Sequence, residues 1–288
     1  MPTLDEVCAK ALSLPCSPAL LPRLITLLQQ PHADIEDLAK LIQLDPVLAS
    51  ATVRMANSVF YGGETVADTV GQAVMRLGAK ELYRLAALSM ASRWMAIEVV
   101  GYRWEAGDFC RASLIKALSA EALAQCTGRV DPALAYTCGL VHEIGKLAVA
   151  FSCPDSFAGV RARCTEAGVT WLQAETAELG FNHAAVSSRL LQEWRFPEAC
   201  VVVAANNPPT SAIPAEYRAL AAHIHAADHM SAALGVGQGE DGFLYSLDSA
   251  LLSEQGIEAE VMEATLPTVL ERATRLLHGK LNTGKVDF

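Results

Sequence analysis

The chain has 288 residues, 52% of them hydrophobic, enough for a continuous core in one large domain or two ordinary ones. Lysine and arginine number 22 against 32 aspartates and glutamates, a formal net charge of −10 with no basic run to offset it, so nucleic-acid binding is not expected. The eight cysteines (Cys8, Cys16, Cys110, Cys126, Cys138, Cys153, Cys164, Cys200) lie in apolar stretches without a C-x-x-C pair, and they are read as reduced, mostly buried side chains of a cytoplasmic protein. The N-terminal "MPTLDEVCAK" is acidic where a signal peptide would be basic. No later segment approaches the roughly 18 apolar residues of a membrane span, so no membrane association is expected.

Hydrophobic spacing is helical almost throughout, and alternating runs are hard to find, which predicts an all-α fold. Asp34 caps a helix whose inner face carries Leu38, Leu41 and Ile42, and Asp45 with Pro46 opens the next. A further helix ends at Gly78, and another carries Leu82, Leu85, Ala86 and Ser89. "DFCRASLIKALSAEALAQCTG" forms a long helix to Gly128, and Asp131-Pro132 opens the helix that delivers His142. Thr170 with Gln173 makes a capping box ahead of Gly180, Asn182 caps "HAAVSSRLLQEW", and Pro197 opens "PEACVVVAANN". The last helices are "PAEYRALAAHIHAADHMSAAL" and "EAEVMEATLPTVLERATRLL", the second interrupted or kinked near Pro267. Its Met262, Leu266, Val269 and Leu270 are spaced to cover the bundle. The least helical stretches are Gly101–Gly107, where a subdomain seam is placed, Asn206–Ile213 and Gly235–Gly242.

"CGLVHEIGKLAVA" sets His142 beside Glu143 at the end of an apolar run, just ahead of Gly145 and Lys146. A zinc-protease reading fails because position 146 is lysine where a second histidine is needed. A phosphate loop fails on spacing and on Leu147, which stands where a hydroxyl is required. No nucleophile-elbow or dinucleotide glycine pattern is present. Residues 34–57 could pass for a helix-turn-helix, but the reading helix offers only Arg54 as a base, and core packing explains the pair better. "HIHAADHM" puts His225 and His229 on one face with His223 and Asp228 near. Such a pair either holds a metal or forms a solvated polar face, and the second reading is preferred.

Several of these stretches resemble one family. "LPRLITLLQQPHADIEDLAKLIQLDPVLASATVRMANSVFYGG", "AVMRLGAKELYRLAAL", "GLVHEIGKL", "AELGFNHAAVSSRLLQEWRFPE" and "HAADHM" follow one another in the order of the HDOD (HD-related output domain) proteins of bacterial signalling, over roughly residues 18 to 234. The resemblance implies an N-terminal helical subdomain packed on a bundle similar to that of HD phosphohydrolases. The boundaries read from it are 14–100 and 104–234, with 235–288 as a C-terminal helical extension.

Catalytic HD relatives hold metal with an early histidine, a His-Asp pair, later histidines and a final aspartate. Carried over by position, the early histidine falls on Ala112, the pair on His142 and Glu143, a later histidine on His183, two adjacent histidines on Asn206 and Asn207, and the final aspartate on Asp228. Alanine has no lone pair to give, and asparagine amides are poor transition-metal ligands. The extra methylene of Glu143 moves its carboxylate by roughly a bond length, against a ligand tolerance of about 0.2 Å. Too few donors remain for a dinuclear centre. One mononuclear site of His142, Glu143, His183 and Asp228 is conceivable, but a hydrogen-bonded polar pocket is preferred.

No catalytic residue and no cofactor is therefore expected; if any binds, it is one divalent transition metal. Lys146 either neutralises an anion in the pocket or cancels charge near the preceding helix end. Asn57 and Ser58 are read as helix-terminating, not partner-facing. The resemblance implies a non-catalytic regulatory protein acting on signalling partners, with a homodimer through the C-terminal helices open. The alternative is a metal-dependent phosphohydrolase (phosphodiesterase) with a reduced ligand set.

Overall fold

The computed structural model describes residues 1–12, 20–28, 34–58, 61, 65–91, 93, 98–210, 213–236, 239–241 and 247–281. Among them every regular element is helical, and the β geometry is confined to a bridge between Val99 and Trp104, so the fold is all-α. Cys16 lies outside the described residues; of the seven other cysteines, five are buried. The chain forms two compact units, Cys16–Arg93 and Met1–Pro15 with Trp94–Phe288.

Helix α1 (Leu4–Leu12) starts the larger unit, with Thr3 and Glu6 bonding each other's backbone amides. The smaller unit holds α2 (Leu20–Leu28), α3 (Ile35–Gln43), α4 (Pro46–Ala56) and α5 (Val70–Ala91). Asp34 accepts from the Glu36 amide at 3.0 Å, and Leu38, Leu41 and Ile42 are buried as the spacing requires. Asp45 accepts from Leu48 N at 3.1 Å, capping the helix that Pro46 begins. Helix α5 breaks at Gly78, where φ is 73° and a side chain would be strained. Asn57 clamps the Ala67 backbone through both amide atoms, at 2.9 and 2.8 Å, and Ser58 Oγ donates to Met55 O at 2.7 Å, so both are structural.

The larger unit continues with α6 (Asp108–Thr127), α7 (Pro132–Val141), α8 (Gly145–Ser152), α9 (Phe157–Ala167), α10 (Trp171–Leu179), α11 (His183–Glu193), α12 (Glu198–Ala205), α13 (Arg218–Ala233), α14 (Ser249–Glu254) and α15 (Ala259–Leu281). Helix α6 is buried all round from Phe109 to Ala124 apart from half-buried Arg111, since α7, α13 and α15 pack along it. The predicted caps form: Asp131 accepts from Ala133 N and Leu134 N, Thr170 and Gln173 close a capping box, and Asn182 accepts from Ala185 N.

Three expectations need correction. Helix α15 runs on across Pro267, which is exposed, so the carbonyl that loses its partner there can turn to water. Its buried face is Met262, Thr265, Val269 and Ala273, while Leu270 is 43% exposed; a 3.6-residue period carries position 270 off the face that 262 and 269 share. Arg272 joins this helix to the buried Glu121 of α6 at 2.6 Å. The segment Pro132–Ser152 also passes the length and composition test for a membrane span, contrary to the sequence reading. It is 83% buried and turns at residues 142–144, as the centre of a core does.

That turn is held by close packing. A Cβ on Gly145 would stand 2.1 Å from His183 O and 2.6 Å from Ser187 N, and Gly145 N donates to Ser187 Oγ at 2.9 Å. Backbone atoms on both sides cannot yield, so Gly145→Ala is expected to cost about 3 kcal/mol, the upper end for overpacking. Urea unfolding checks this; a loss under about 1 kcal/mol means that α8 and α11 can separate freely.

Candidate functional site

The α7–α8 turn presents His142 and Glu143 to the interior, 2% and 6% exposed. Helix α7 reaches α6 closely because Gly139 has no side chain: a Cβ there would lie 2.9 Å from Ala117 Cα and from Lys116 O. This approach sets Lys116 opposite the turn. Ala112, one helical turn earlier on α6, is buried and offers no donor.

Glu143 lies between two ammonium groups. Its Oε2 is 2.5 Å from Lys116 Nζ and its Oε1 2.5 Å from Lys146 Nζ. Lys116 Nζ is also 3.0 Å from Asp228 Oδ1, on α13. Asp228 Oδ1 meets His142 Nε2 at 3.0 Å, and its Oδ2 accepts from Asn207 Nδ2 at 2.9 Å. On the other side, Lys146 Nζ is paired with Asp241 Oδ2 at 2.6 Å. The same ammonium stands 5.1 Å from the Trp104 ring centroid.

His142 Nδ1 faces the carbonyl oxygens of Cys138 and Gly139, each at 3.1 Å, and Nε2 faces a carboxylate. Both ring nitrogens are thus occupied by oxygen atoms of the protein itself. Lys116 and Lys146 set two ammonium groups against Glu143, Asp228 and Asp241. Charges taken out of water persist only when paired in this way.

Burial alone would raise the Glu143 and Asp228 carboxyls. Lys116 first, then Lys146 for Glu143 and His142 for Asp228, outweigh it and hold both below the ordinary carboxylate range. For Lys116, burial alone would lower the ammonium, but Asp228 and Glu143 hold it above its ordinary value.

His183 does not join this group. Its backbone amide and Nδ1 contact Glu175 Oε2 at 2.8 and 2.7 Å, while Tyr102 and Trp171 donate to Glu175 Oε1 at 2.6 and 2.8 Å. The four-residue site of the sequence reading thus divides into two polar clusters: His142, Glu143 and Asp228 gather within 4.8 Å of one another, while His183 Nδ1 is held by Glu175. His223 contacts Ala219 O and Thr127 Oγ1, and His225 Nε2 accepts from Asp248 N, so these imidazoles serve as helix fastenings. Among the described residues, the groups that could share an ion are His142, Glu143 and Asp228, whose donor atoms lie within 4.8 Å of one another. They could coordinate at most one divalent ion, and they are no complete HD-type site.

Lys116, Asp241 and Glu175 were missed by the sequence reading. A lysine inside the otherwise uncharged "ASLIKALSA" was a visible sign, since lysine is seldom fully buried without a partner. Nothing local marked Asp241 or Glu175. Asn207, counted as a lost ligand, is a donor to Asp228.

An all-α bundle with a His-Glu pair at a buried turn, an aspartate facing it and an incomplete donor set defines a degenerate HD-like domain. The model of the HDOD domain matches residues 14–208, and the chain belongs to that family, which is related to the HD phosphohydrolases. A putative signal transduction protein from Marinobacter aquaeolei VT8 superposes with a TM-score of 0.70 at 24% identity, covering 96% of this chain and 60% of that one. An HDOD domain protein of unknown function from Geobacter sulfurreducens gives 0.65 at 20% identity, covering 95% and 97%. At these identities the likeness shows the fold. An uncharacterised protein of Treponema pallidum (strain Nichols) is 23% identical over 216 residues, 72% of this chain but 40% of that protein.

Proposed function

We propose that this chain is a non-catalytic signal-transduction protein that acts through contacts with other proteins. The observation that supports it is the state of the pocket: each group that could hold an ion is bonded to the protein itself. His142 faces acceptors at both nitrogens, Glu143 has an ammonium on each oxygen, and Asp228 meets Lys116, His142 and Asn207. An activated water needs a metal with an open coordination position, and the few donors of this pocket are already engaged by Lys116, Lys146 and one another.

The signalling role follows from the family, and the Marinobacter structure bears the same description. The domain boundaries 14–234 and 235–288, a protein partner and a homodimer through the C-terminal helices belong to this reading. Elemental analysis of protein purified without added metal is expected to find no stoichiometric Mn, Fe, Ni or Zn. Turnover of bis(p-nitrophenyl) phosphate and of cyclic dinucleotides is expected to match that of Asp228→Ala. Turnover that Asp228→Ala abolishes establishes the phosphohydrolase reading instead.

A further inference from the structure

We infer that the Lys116 ammonium holds the place of a divalent ion in this pocket, and that removing it opens a latent mononuclear metal site on His142, Glu143 and Asp228. The inference rests on the non-catalytic reading and says how the site is kept closed. Three donors from two elements gather within 4.8 Å, a spacing suited to one ion. Lys116 Nζ already lies 2.5 Å from the Glu143 oxygen and 3.0 Å from the Asp228 oxygen that face it.

An ion bonded to Glu143 Oε2 at roughly 2.1 Å would stand no more than about 4.6 Å from Nζ, because Nζ is itself 2.5 Å from that oxygen. A double positive charge that close to a buried ammonium meets repulsion that salt screens weakly. Nor is Lys116 free to leave. Its side chain is 8% exposed, and Gly139 packs against its carbonyl. Without the ammonium, Glu143 Oε2 and one contact of Asp228 Oδ1 are released, while Lys146 still anchors Glu143 Oε1 and Asn207 still orients Asp228. His142 Nε2 already lies 3.0 Å from the released oxygen, within reach of an ion seated there.

The test uses the full chain as wild type, Lys116→Ala and Lys116→Met, stripped of metal, then titrated with Mn2+ or Zn2+ alone and desalted for elemental analysis. Wild type is expected to retain under about a tenth of an equivalent. Lys116→Ala should retain about one, with at least ~100-fold tighter binding and a raised melting temperature, both lost on adding Asp228→Ala. A wild type that binds one equivalent through Asp228 overturns the inference; so does a Lys116 variant that unfolds cooperatively yet takes no ion. Lys116→Met keeps most of the buried stem should the alanine variant fail to fold, and the wild-type titration stands without either. An ion on the wild type without phosphodiester hydrolysis sinks this inference alone. An ion with hydrolysis sinks the proposed function as well.

Discussion

Replacing Glu143 with alanine is expected to lower the free energy of unfolding by about 3 kcal/mol. Removing one partner of a buried ion pair typically costs about 3–5 kcal/mol, because the remaining charge has neither water nor a counter-charge. Here one substitution strips a contact from two ammonium groups, which argues for a large effect. Each ammonium keeps a second carboxylate, Asp228 for Lys116 and Asp241 for Lys146, which places the expectation at the low end. Urea denaturation followed by circular dichroism measures it. Glu143→Gln should recover only part of the loss, since its amide can accept from one lysine but not from both. If Glu143→Ala unfolds within about 0.5 kcal/mol of wild type, as an exposed pair would, the cluster is solvated and the account of the pocket is wrong.

Glu175→Ala is expected to cost more, about 4 kcal/mol. Four donors converge on this carboxylate: Tyr102 Oη, Trp171 Nε1, and the His183 amide and Nδ1. Each buried donor left without an acceptor costs about 1–3 kcal/mol, reduced where a side chain can turn elsewhere. The carboxylate also makes folding acid-sensitive. Burial alone would raise its pKa, but the His183 ring and the converging hydrogen bonds hold it below the ordinary value. Because the folded value is the lower one, the stabilisation is complete above the unfolded carboxyl range near ~4.3 and fades as pH falls toward the folded value. Glu175→Gln, with one accepting oxygen in place of two, should lose about half of the stability and flatten the decline below pH ~4.5 relative to wild type. Parallel urea midpoints for the two proteins across pH 3 to 7 would show that Glu175 is not the ionised hub of this cluster.

Both experiments act on side chains whose importance was only partly visible in the sequence. The Asp34, Asp45, Asp131 and Asn182 caps and the Gly78 break were legible because each concerns neighbours within a turn or two along the chain. So was the adjacency of His142 and Glu143. The partners were not. Lys116 and Glu143 are 27 positions apart, His142 and Asp228 86, and Tyr102 and Glu175 73. His183 matched a ligand position by resemblance, yet its ring faces Glu175, eight residues back.

By itself the sequence determined an all-α chain, its helix ends, and a metal set too short for two ions, because helical period, capping and the presence of a lone pair are properties of single residues and their near neighbours. Only the tertiary structure decided what closes the pocket. The charge that neutralises Glu143 and Asp228 comes from helices brought together at Gly139 and Gly145, where backbones approach too closely for a side chain. Pairing of buried charges depends on distance in space, and sequence separation does not encode it.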